Sequence, residues 1–539
     1  MTTDTTTITA TIDGRRVEVP RGTTILEAAA DLGTKVPHYC YHPGLSSPAM
    51  CRLCLVEVEG APKPMPSCVT AVTEGQVVHT QSPLALEMRM GVLEFYALNH
   101  PLDCPICDMS GECYFQDYLH LEGRDLGRSR DPKRVLGRDD FGGDVLFYAD
   151  RCVMCTRCVR FMNEIEQEPR LTVVERGDRS IIDTFFDTTL DGTHWHGNIV
   201  DLCPVGALVS KDFLYKARAW DLEHTDSICP NCSQGCNISL HVRDNLVQRV
   251  KPRENPAVNG WWMCDHGRLT YEWINRMGRL EAPLVRRDGA LTPTTWKEAL
   301  SELLGRFKTM SGVPALAVGS PFSSNEDLGA LVHLLEALGG GTGVYRCPVT
   351  TDEIPLKGRP GLARRRDLAP NVQGADLIGL KRIPSLDEPD YIKRAGGYAG
   401  PLFVLGDELR DQTPAFGASS ELFVYFGTHA SPASARADFL LPLTTFAESE
   451  GSFTNVHGRV QRFWPAVETP GMARPAWFIL GALLAEVSSA TMPRSAADSF
   501  SQLADRVPAF AGLSYSALGR SGAQVGQSRP QSTAESSPP

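Results

Sequence analysis

Sixteen cysteines occur in 539 residues, and fifteen of them fall between Cys40 and Cys264. Thiolates at short fixed spacings hold soft metals and iron–sulfur clusters, and the chemistry such clusters bring is single-electron transfer. Four groups are readable. Cys40, Cys51, Cys54 and Cys68 are spaced C-x10-C-x2-C-x13-C. Two close cysteines with one nearby and one remote make the pattern of a plant-type [2Fe–2S] site, although the first gap here is ten residues rather than four. His100, Cys104, Cys107 and Cys113 form the second group. Only three cysteines lie locally, so a [4Fe–4S] cluster here needs another donor, and His100 supplies it. An imidazole in place of a thiolate removes one negative charge, which favours the reduced cluster. Cys152, Cys155 and Cys158 run C-x2-C-x2-C, with Cys203-Pro204 far downstream. This is the bacterial ferredoxin signature, but Met162 stands where a two-cluster protein has its fourth cysteine, so one [4Fe–4S] cluster closed by a long excursion is expected. Cys229, Cys232, Cys236 and Cys264, spaced C-x2-C-x3-C-x27-C, make a fourth [4Fe–4S] candidate. Tetrahedral zinc suits four-cysteine and one-histidine sets equally well, and the fourth group alone could be a zinc ribbon. Zinc seldom uses the triple spacing of the third group. Cys347, the one cysteine left over, precedes Pro348 and reads as a small buried hydrophobe.

The elements that must carry these groups follow from local pattern. Ile8–Ile12 and Val17–Val19 alternate around Asp13-Gly14, a hairpin signal. Thr24 and Glu27 are placed as a capping box, with Gly33 as the stop. Hairpin, helix and cysteine loop is the order of a β-grasp, ferredoxin-like domain. Ser82-Pro83 starts a second helix whose Leu86, Met90, Leu93 and Ala97 form a buried stripe leading to His100. His38 and His42 are packing residues, since four cysteines complete the first set. Beyond about Leu269, strands at 315–318, 402–405 and 422–425 alternate with helices such as 326–338, the mark of an open α/β domain. Gly339–Gly343 is a loop and not a nucleotide fingerprint, and Arg364-Arg365-Arg366 a solvated face. From Gly519 the chain is polar, and a disordered tail is expected.

Apolar residues make up 42% and charged residues 22%, as in an ordinary globular protein, and the net charge of −11 argues against nucleic-acid binding. A disulfide scaffold would be short and secreted. No signal pattern opens the chain, and the apolar run Ala476–Val487 is too short to span a bilayer, so a cytoplasmic protein is expected.

Residues 40–268 resemble the large iron–sulfur subunit of respiratory complex I, the family of the NADH-quinone oxidoreductase G subunit and the 75-kDa subunit, bacterial type. The resemblance rests on Cys40-Tyr41-His42-Pro43, His100-Pro101-Leu102-Asp103-Cys104-Pro105, the segment Arg151–Phe161, Asp201–Leu208 and Ala217-Arg218-Ala219-Trp220. Glu450–Asn455 and Gly458–Gln461 are similar to a stretch of that family's molybdopterin-like part. The resemblance implies an α+β iron–sulfur region, β-grasp [2Fe–2S] domain plus [4Fe–4S] modules, followed by an α/β molybdopterin-oxidoreductase-like domain without a molybdenum cofactor. Domains are expected at 1–82 ([2Fe–2S]), 83–122 (histidine-ligated module), 123–222 ([4Fe–4S] ferredoxin-like), 223–285 (Mo/W bis-MGD-type [4Fe–4S]), 286–518 (truncated α/β domain) and 519–539 (tail). It further implies that electrons from a neighbouring NADH/flavin subunit enter the [2Fe–2S] cluster. They then pass to the Cys152 cluster and the His100 cluster, and leave to a downstream iron–sulfur subunit and ultimately quinone. The resemblance also implies that the fourth cluster is off the main path. The chain itself would bind neither NADH nor quinone, would touch the membrane only through its complex, and would sit at the cytoplasmic face of the bacterial inner membrane. The rival readings are an NAD-linked formate dehydrogenase-type molybdo-oxidoreductase and a non-redox zinc scaffold. Met162 and the lack of a suitable metal-ligating cysteine weigh against the first.

Overall fold

Residues 7–184, 188–310, 312–384 and 388–526 are described by a computed structural model. Contacts divide the chain into two units, Met1–Leu222 with Leu356–Gly361, and Glu223–Pro355 with Leu362–Pro539.

The first unit opens on strands β1 (Thr7–Ile12) and β2 (Arg15–Pro20), antiparallel with Ile12 opposite Arg15. Asp13 and Gly14 both take positive φ, 47° and 77°, the geometry that a two-residue turn between twisted strands requires. Alternation buries Ala10, Ile12, Val17 and Val19. Helix α1 (Ile25–Asp31) begins at the expected box, the Thr24 hydroxyl accepting from Glu27 N and Glu27 reaching back to Thr24 N. Strands β3 (Leu55–Val58), β4 (Met65–Pro66) and β5 (Gln76–His79) complete a sheet in the order β2-β1-β5-β3-β4, with β1 and β5 parallel. This is a β-grasp arrangement with α1 packed on one face.

Helix α2 (Pro83–Ala97) starts at Ser82, whose hydroxyl accepts from Ala85 N. Its buried seam is Ala85, Arg89 and Leu93, so the expected stripe is displaced by one residue except at Leu93. The cause is Arg89, fully buried and gripping Glu122 at the end of α3 (Tyr114–Glu122). A three-stranded sheet follows, β6 (Arg138–Gly142), β7 (Val145–Tyr148) and β10 (Leu208–Ser210), ordered β10-β7-β6. Between its strands lie α4 (Arg157–Arg160), a π-turn over Phe161–Glu166, the hairpin β8 (Leu171–Val174) and β9 (Ile181–Thr184), and α5 (Gly197–Leu202).

The second unit begins with a meander of β11 (Glu223–Ile228), β12 (Asn237–Arg243) and β13 (Leu246–Pro252), then the short helix α6 (Asp265–Leu269). An eight-stranded sheet follows. Six of its strands are parallel, in the spatial order 439–442, 422–427, 401–405, 315–319, 341–345 and 381–382, and an antiparallel pair, 284–287 and 290–293, extends the first edge. Helices Trp296–Thr309, Asn325–Ala337 and Ala476–Val487 contribute to one core with it, as the alternation of strand and helix predicts.

Three expectations are corrected. Gly339 and Gly340 do form a turn, but Gly341–Tyr345 is a strand, where a Cβ on Gly341 would lie 2.5 Å from the Ala315 carbonyl oxygen. Arg365 is no solvated side chain: it donates to Gln234 at 2.7 Å and pairs with Glu353 at 3.2 Å. The tail is held at its start, because Arg520 pairs with Asp226 and Ala523–Gln524 adds a strand beside Arg459–Phe463. Residues 527–539 lie outside the described residues. Among the described residues no helix is long and apolar enough to cross a membrane.

Candidate metal centres

Each cysteine group is gathered by a loop that a regular element anchors. Cys40 and Cys51 lie on the loop after α1, Cys54 stands just before β3, and Cys68 just after β4. All four are buried, with Cys40 Sγ 3.4 Å from Cys51 Sγ and Cys68 in hydrogen-bond contact with both Cys40 and Cys54. Ala49 and Arg52 take positive φ, which curls the loop around the sulfurs, and Tyr39 N points at Cys51 Sγ at 3.5 Å. The neighbouring thiols of Cys51 and Cys68 hold Cys40 well below the ordinary thiol range, and that sharing pushes Cys51 and Cys68 up. His38 binds the Val36 carbonyl and His42 accepts from Gly44 N.

Cys152, Cys155 and Cys158 come from the turn that starts α4, where Met154 and Thr156 adopt left-handed φ. Cys203 caps the end of α5. The four line one cavity together with Phe147, Ile182, Val205 and Leu208. Burial raises every one of these thiols, Cys203 to about 12. Thiols so placed ionise only when a cation takes the proton's place, as in metal coordination.

In the second set, Cys107 and Cys113 are buried and Cys104 is exposed, so this group lies at the surface. The three cysteines act on one another electrostatically, and burial raises Cys113 to about 11. His100 stacks edge-on against Phe115 with ring centroids 4.4 Å apart, two residues beyond Cys113. Burial first, then Arg151, lowers it to about 4, and it hydrogen-bonds the Arg151 backbone. A neutral imidazole held through one nitrogen by backbone is the form that ligates metal through the other.

Cys229, Cys232, Cys236 and Cys264 are all buried, and burial raises each thiol. Cys229 N donates to the Cys236 carbonyl at 2.8 Å, and Cys264 Sγ accepts from Gly267 N at the start of α6. Gln461 joins this loop by accepting from Asn237 and donating to the Gly235 carbonyl, and Asn455 donates to Gln234 O. The two segments picked out by resemblance, Glu450–Asn455 and Gly458–Gln461, thus pack on the fourth cysteine loop.

Sequence reasoning missed the residues that join the first three sets. Arg160 donates to the carbonyls of Cys40 and Ser46, and to that of Cys155 at 3.3 Å. Arg157 donates to the carbonyls of Tyr41 and Leu202. Arg151 pairs with Asp103 at 2.9 Å, lies over the Tyr148 ring at 3.9 Å and reaches the Gly206 carbonyl. Tyr114 N bonds the Pro204 carbonyl at 3.0 Å, and Gly206 backs onto Cys107 so closely that a Cβ would lie 2.1 Å from its sulfur. The signal that could have found them is arginine interleaved with the ligand cysteines, at 151, 157 and 160.

The donor sets fit iron–sulfur clusters: free thiols without disulfide partners, covered except at Cys104 and in part Cys152, with backbone N–H groups aimed at sulfur. Among the described residues no three His, Cys, Asp or Glu side chains are spaced to grip a single ion, so the fit rests on donor chemistry and packing.

Known families match in the same order. A 2Fe-2S iron-sulfur cluster binding domain model covers residues 5–83, and the NADH-ubiquinone oxidoreductase-G iron-sulfur binding region covers 89–125. The ferredoxin-like domain of NADH-quinone oxidoreductase subunit 3 covers 142–209, and the molybdopterin oxidoreductase Fe4S4 domain 222–276. A molybdopterin oxidoreductase model covers 377–486. The NADH-quinone oxidoreductase G subunit of Rickettsia felis is 39% identical over 329 residues, 61% of this chain and 49% of its own. The mitochondrial NADH-ubiquinone oxidoreductase 78 kDa subunit of Neurospora crassa is 41% identical over 61% of this chain and 44% of its own. A chain of a NAD+-reducing [NiFe]-hydrogenase in the H2-reduced state is 28% identical, covers 39% of this chain and 90% of its own, and superposes with a TM-score of only 0.36. The chain spans about half the length of the curated relatives it matches. In its iron–sulfur region the chain is similar to the NADH-quinone oxidoreductase G subunit and the 75-kDa subunit.

Proposed function

We propose that the chain is an electron-transfer subunit of an NADH-quinone oxidoreductase. It holds one [2Fe–2S] cluster on Cys40, Cys51, Cys54 and Cys68, and three [4Fe–4S] clusters. These sit on His100, Cys104, Cys107 and Cys113; on Cys152, Cys155, Cys158 and Cys203; and on Cys229, Cys232, Cys236 and Cys264. Bound there, the clusters supply one-electron redox without bond-making on a substrate. The protein's own part is to bury the sulfurs, aim N–H groups at them and set the surrounding charge.

The observation that carries this reading is the joining of three ligand sets by direct bonds. Arg160 and Arg157 span the Cys40 and Cys152 sets, and Gly206, Pro204 and Arg151 join the Cys152 set to the His100 set. A structural zinc site has no need of a second site in contact, whereas electron relay depends on adjacency. These contacts support exchange between the Cys40 and Cys152 sets and between the Cys152 and His100 sets, and the order Cys40, Cys152, His100 follows from the resemblance. The subunit would receive electrons from an NADH/flavin partner and deliver them to another iron–sulfur subunit towards quinone. It would do so at the cytoplasmic face of a bacterial inner membrane, without a molybdenum cofactor. Iron analysis and EPR on anaerobically purified protein test this: about 14 iron atoms per chain are expected from the four ligand sets. About four zinc and no iron would refute it.

A further inference from the structure

Two buried cations in the first unit have, among the described residues, no carboxylate paired with them. Arg157 is 4% exposed and Arg160 is 9% exposed. The Arg160 guanidinium spends its donors on the carbonyls of Cys40, Ser46 and Cys155 and on the Thr156 hydroxyl at 3.4 Å. The Arg157 donors go to the carbonyls of Tyr41 and Leu202, and its Nε has no partner. Among the described residues neither lies within salt-bridge reach of an acid. Glu164, whose charge acts on Arg160, accepts instead from the backbone N–H and hydroxyl of Ser46. Carbonyls satisfy the hydrogens but not the charge, and a buried guanidinium without a counter-charge is costly. Both arginines sit on the single turn α4, beside the ligands Cys155 and Cys158, and reach across to the backbone of Cys40 and its neighbour Tyr41.

We propose that Arg160, with Arg157, is the counter-ion shared by the Cys40 and Cys152 clusters. This inference rests on the cluster assignment made above. An all-cysteine cluster is anionic, and the fixed charge beside it helps to set its potential. A permanent cation bonded to the ligand backbones of both sets favours the reduced form of each. Because guanidinium stays protonated in proteins, this bias is independent of pH. Arg160 is therefore a positioning and charge-setting residue, and its effect belongs to two clusters at once.

The test is an EPR-monitored redox titration of the full chain, purified anaerobically with its clusters, in wild type, Arg160→Gln and Arg160→Lys. In Arg160→Gln both the [2Fe–2S] signal and the Cys152 cluster signal should become at least tenfold harder to reduce. That corresponds to a midpoint shift of about −59 mV for a one-electron couple. The His100 cluster, whose ligands Arg160 does not touch, should move less. Arg160→Lys keeps the charge and should keep both potentials near wild type, and it decides the matter if the Gln variant does not retain its clusters. Unmoved potentials in Arg160→Gln, a shift in only one of the two clusters, or a Lys variant shifted tenfold would each overturn the shared counter-ion. In any of those cases intact clusters would leave the electron-relay reading standing. An iron-free wild type would remove that reading itself, and this one with it.

Discussion

Replacing Arg89 by methionine isolates what holds the second ligand set to the first domain. Arg89 is fully buried and makes four bonds: two to the Glu122 carboxylate at 2.6 and 2.9 Å, one to the Thr80 carbonyl at 2.8 Å and one to the Leu55 carbonyl at 3.1 Å. It thus ties α2, which leads to His100, and α3, which begins at Cys113, to the ends of β5 and β3. Methionine fills much of the same space but leaves Glu122, only 11% exposed, without its partner, and two carbonyls without donors. Breaking a buried pair from one side costs about 3–5 kcal/mol. At about 1.4 kcal/mol per decade, that is roughly a 100- to 4000-fold rise in the opening equilibrium of this region. Hydrogen exchange read by mass spectrometry over 83–122 measures that opening directly. A second change, Glu122→Leu on top of Arg89→Met, removes the stranded charge and should restore most of the protection, because apolar replacements of whole buried pairs are often neutral. A loss below about 1 kcal/mol in the single variant, or a double variant no better than the single, would refute the claim that this ion pair fixes the module.

Gly206→Ala should expel the cluster of the His100 set, because the new methyl would overlap Cys107 Sγ; four irons fewer per chain, with the [2Fe–2S] EPR signal unchanged, is the expected result. His100→Ala should alter or abolish the EPR signal of the same cluster and depress NADH-to-quinone flux in the assembled complex, and an unchanged spectrum would contradict the ligand assignment. Glu326 is buried against Ser452 and Tyr515, and burial pushes its carboxyl up to about 7. A raised carboxyl stabilises the fold fully below its unfolded pKa and loses that contribution as pH climbs through the folded value. Wild type should therefore lose about 3 kcal/mol between about pH 4.5 and about pH 7 that Glu326→Gln does not, and thermal melts across that window read the difference. Cys347→Ala should cost only about 1 kcal/mol and leave iron content untouched, since the thiol lies in an apolar core and burial raises it to about 12.

The parts of this molecule legible in the sequence are those whose cause is local. A capping box spans four residues, and both Thr24–Glu27 and Ser82 act as their spacing predicts. Asp13-Gly14 makes its turn because positive φ is a property of those two residues. The cysteine groups are gathered locally for the same reason, since three cysteines of each set come from one stretch of chain. What pattern could not reach depends on distant backbone. Arg89, Arg151, Arg157 and Arg160 read as polar in any periodicity, and each is buried because carbonyls or carboxylates far away in the chain converge on it. Gly206 looks like an ordinary glycine until Cys107, almost a hundred residues earlier, presses its sulfur against it. The asymmetry has a physical basis. Ligand identity is a chemical requirement of the metal and is met residue by residue, whereas cluster potential and adjacency are set by charge and packing between loops. On the cluster assignment proposed above, the arginines and glycine that sequence spacing leaves unmarked are where variants should change function while leaving every proposed ligand in place.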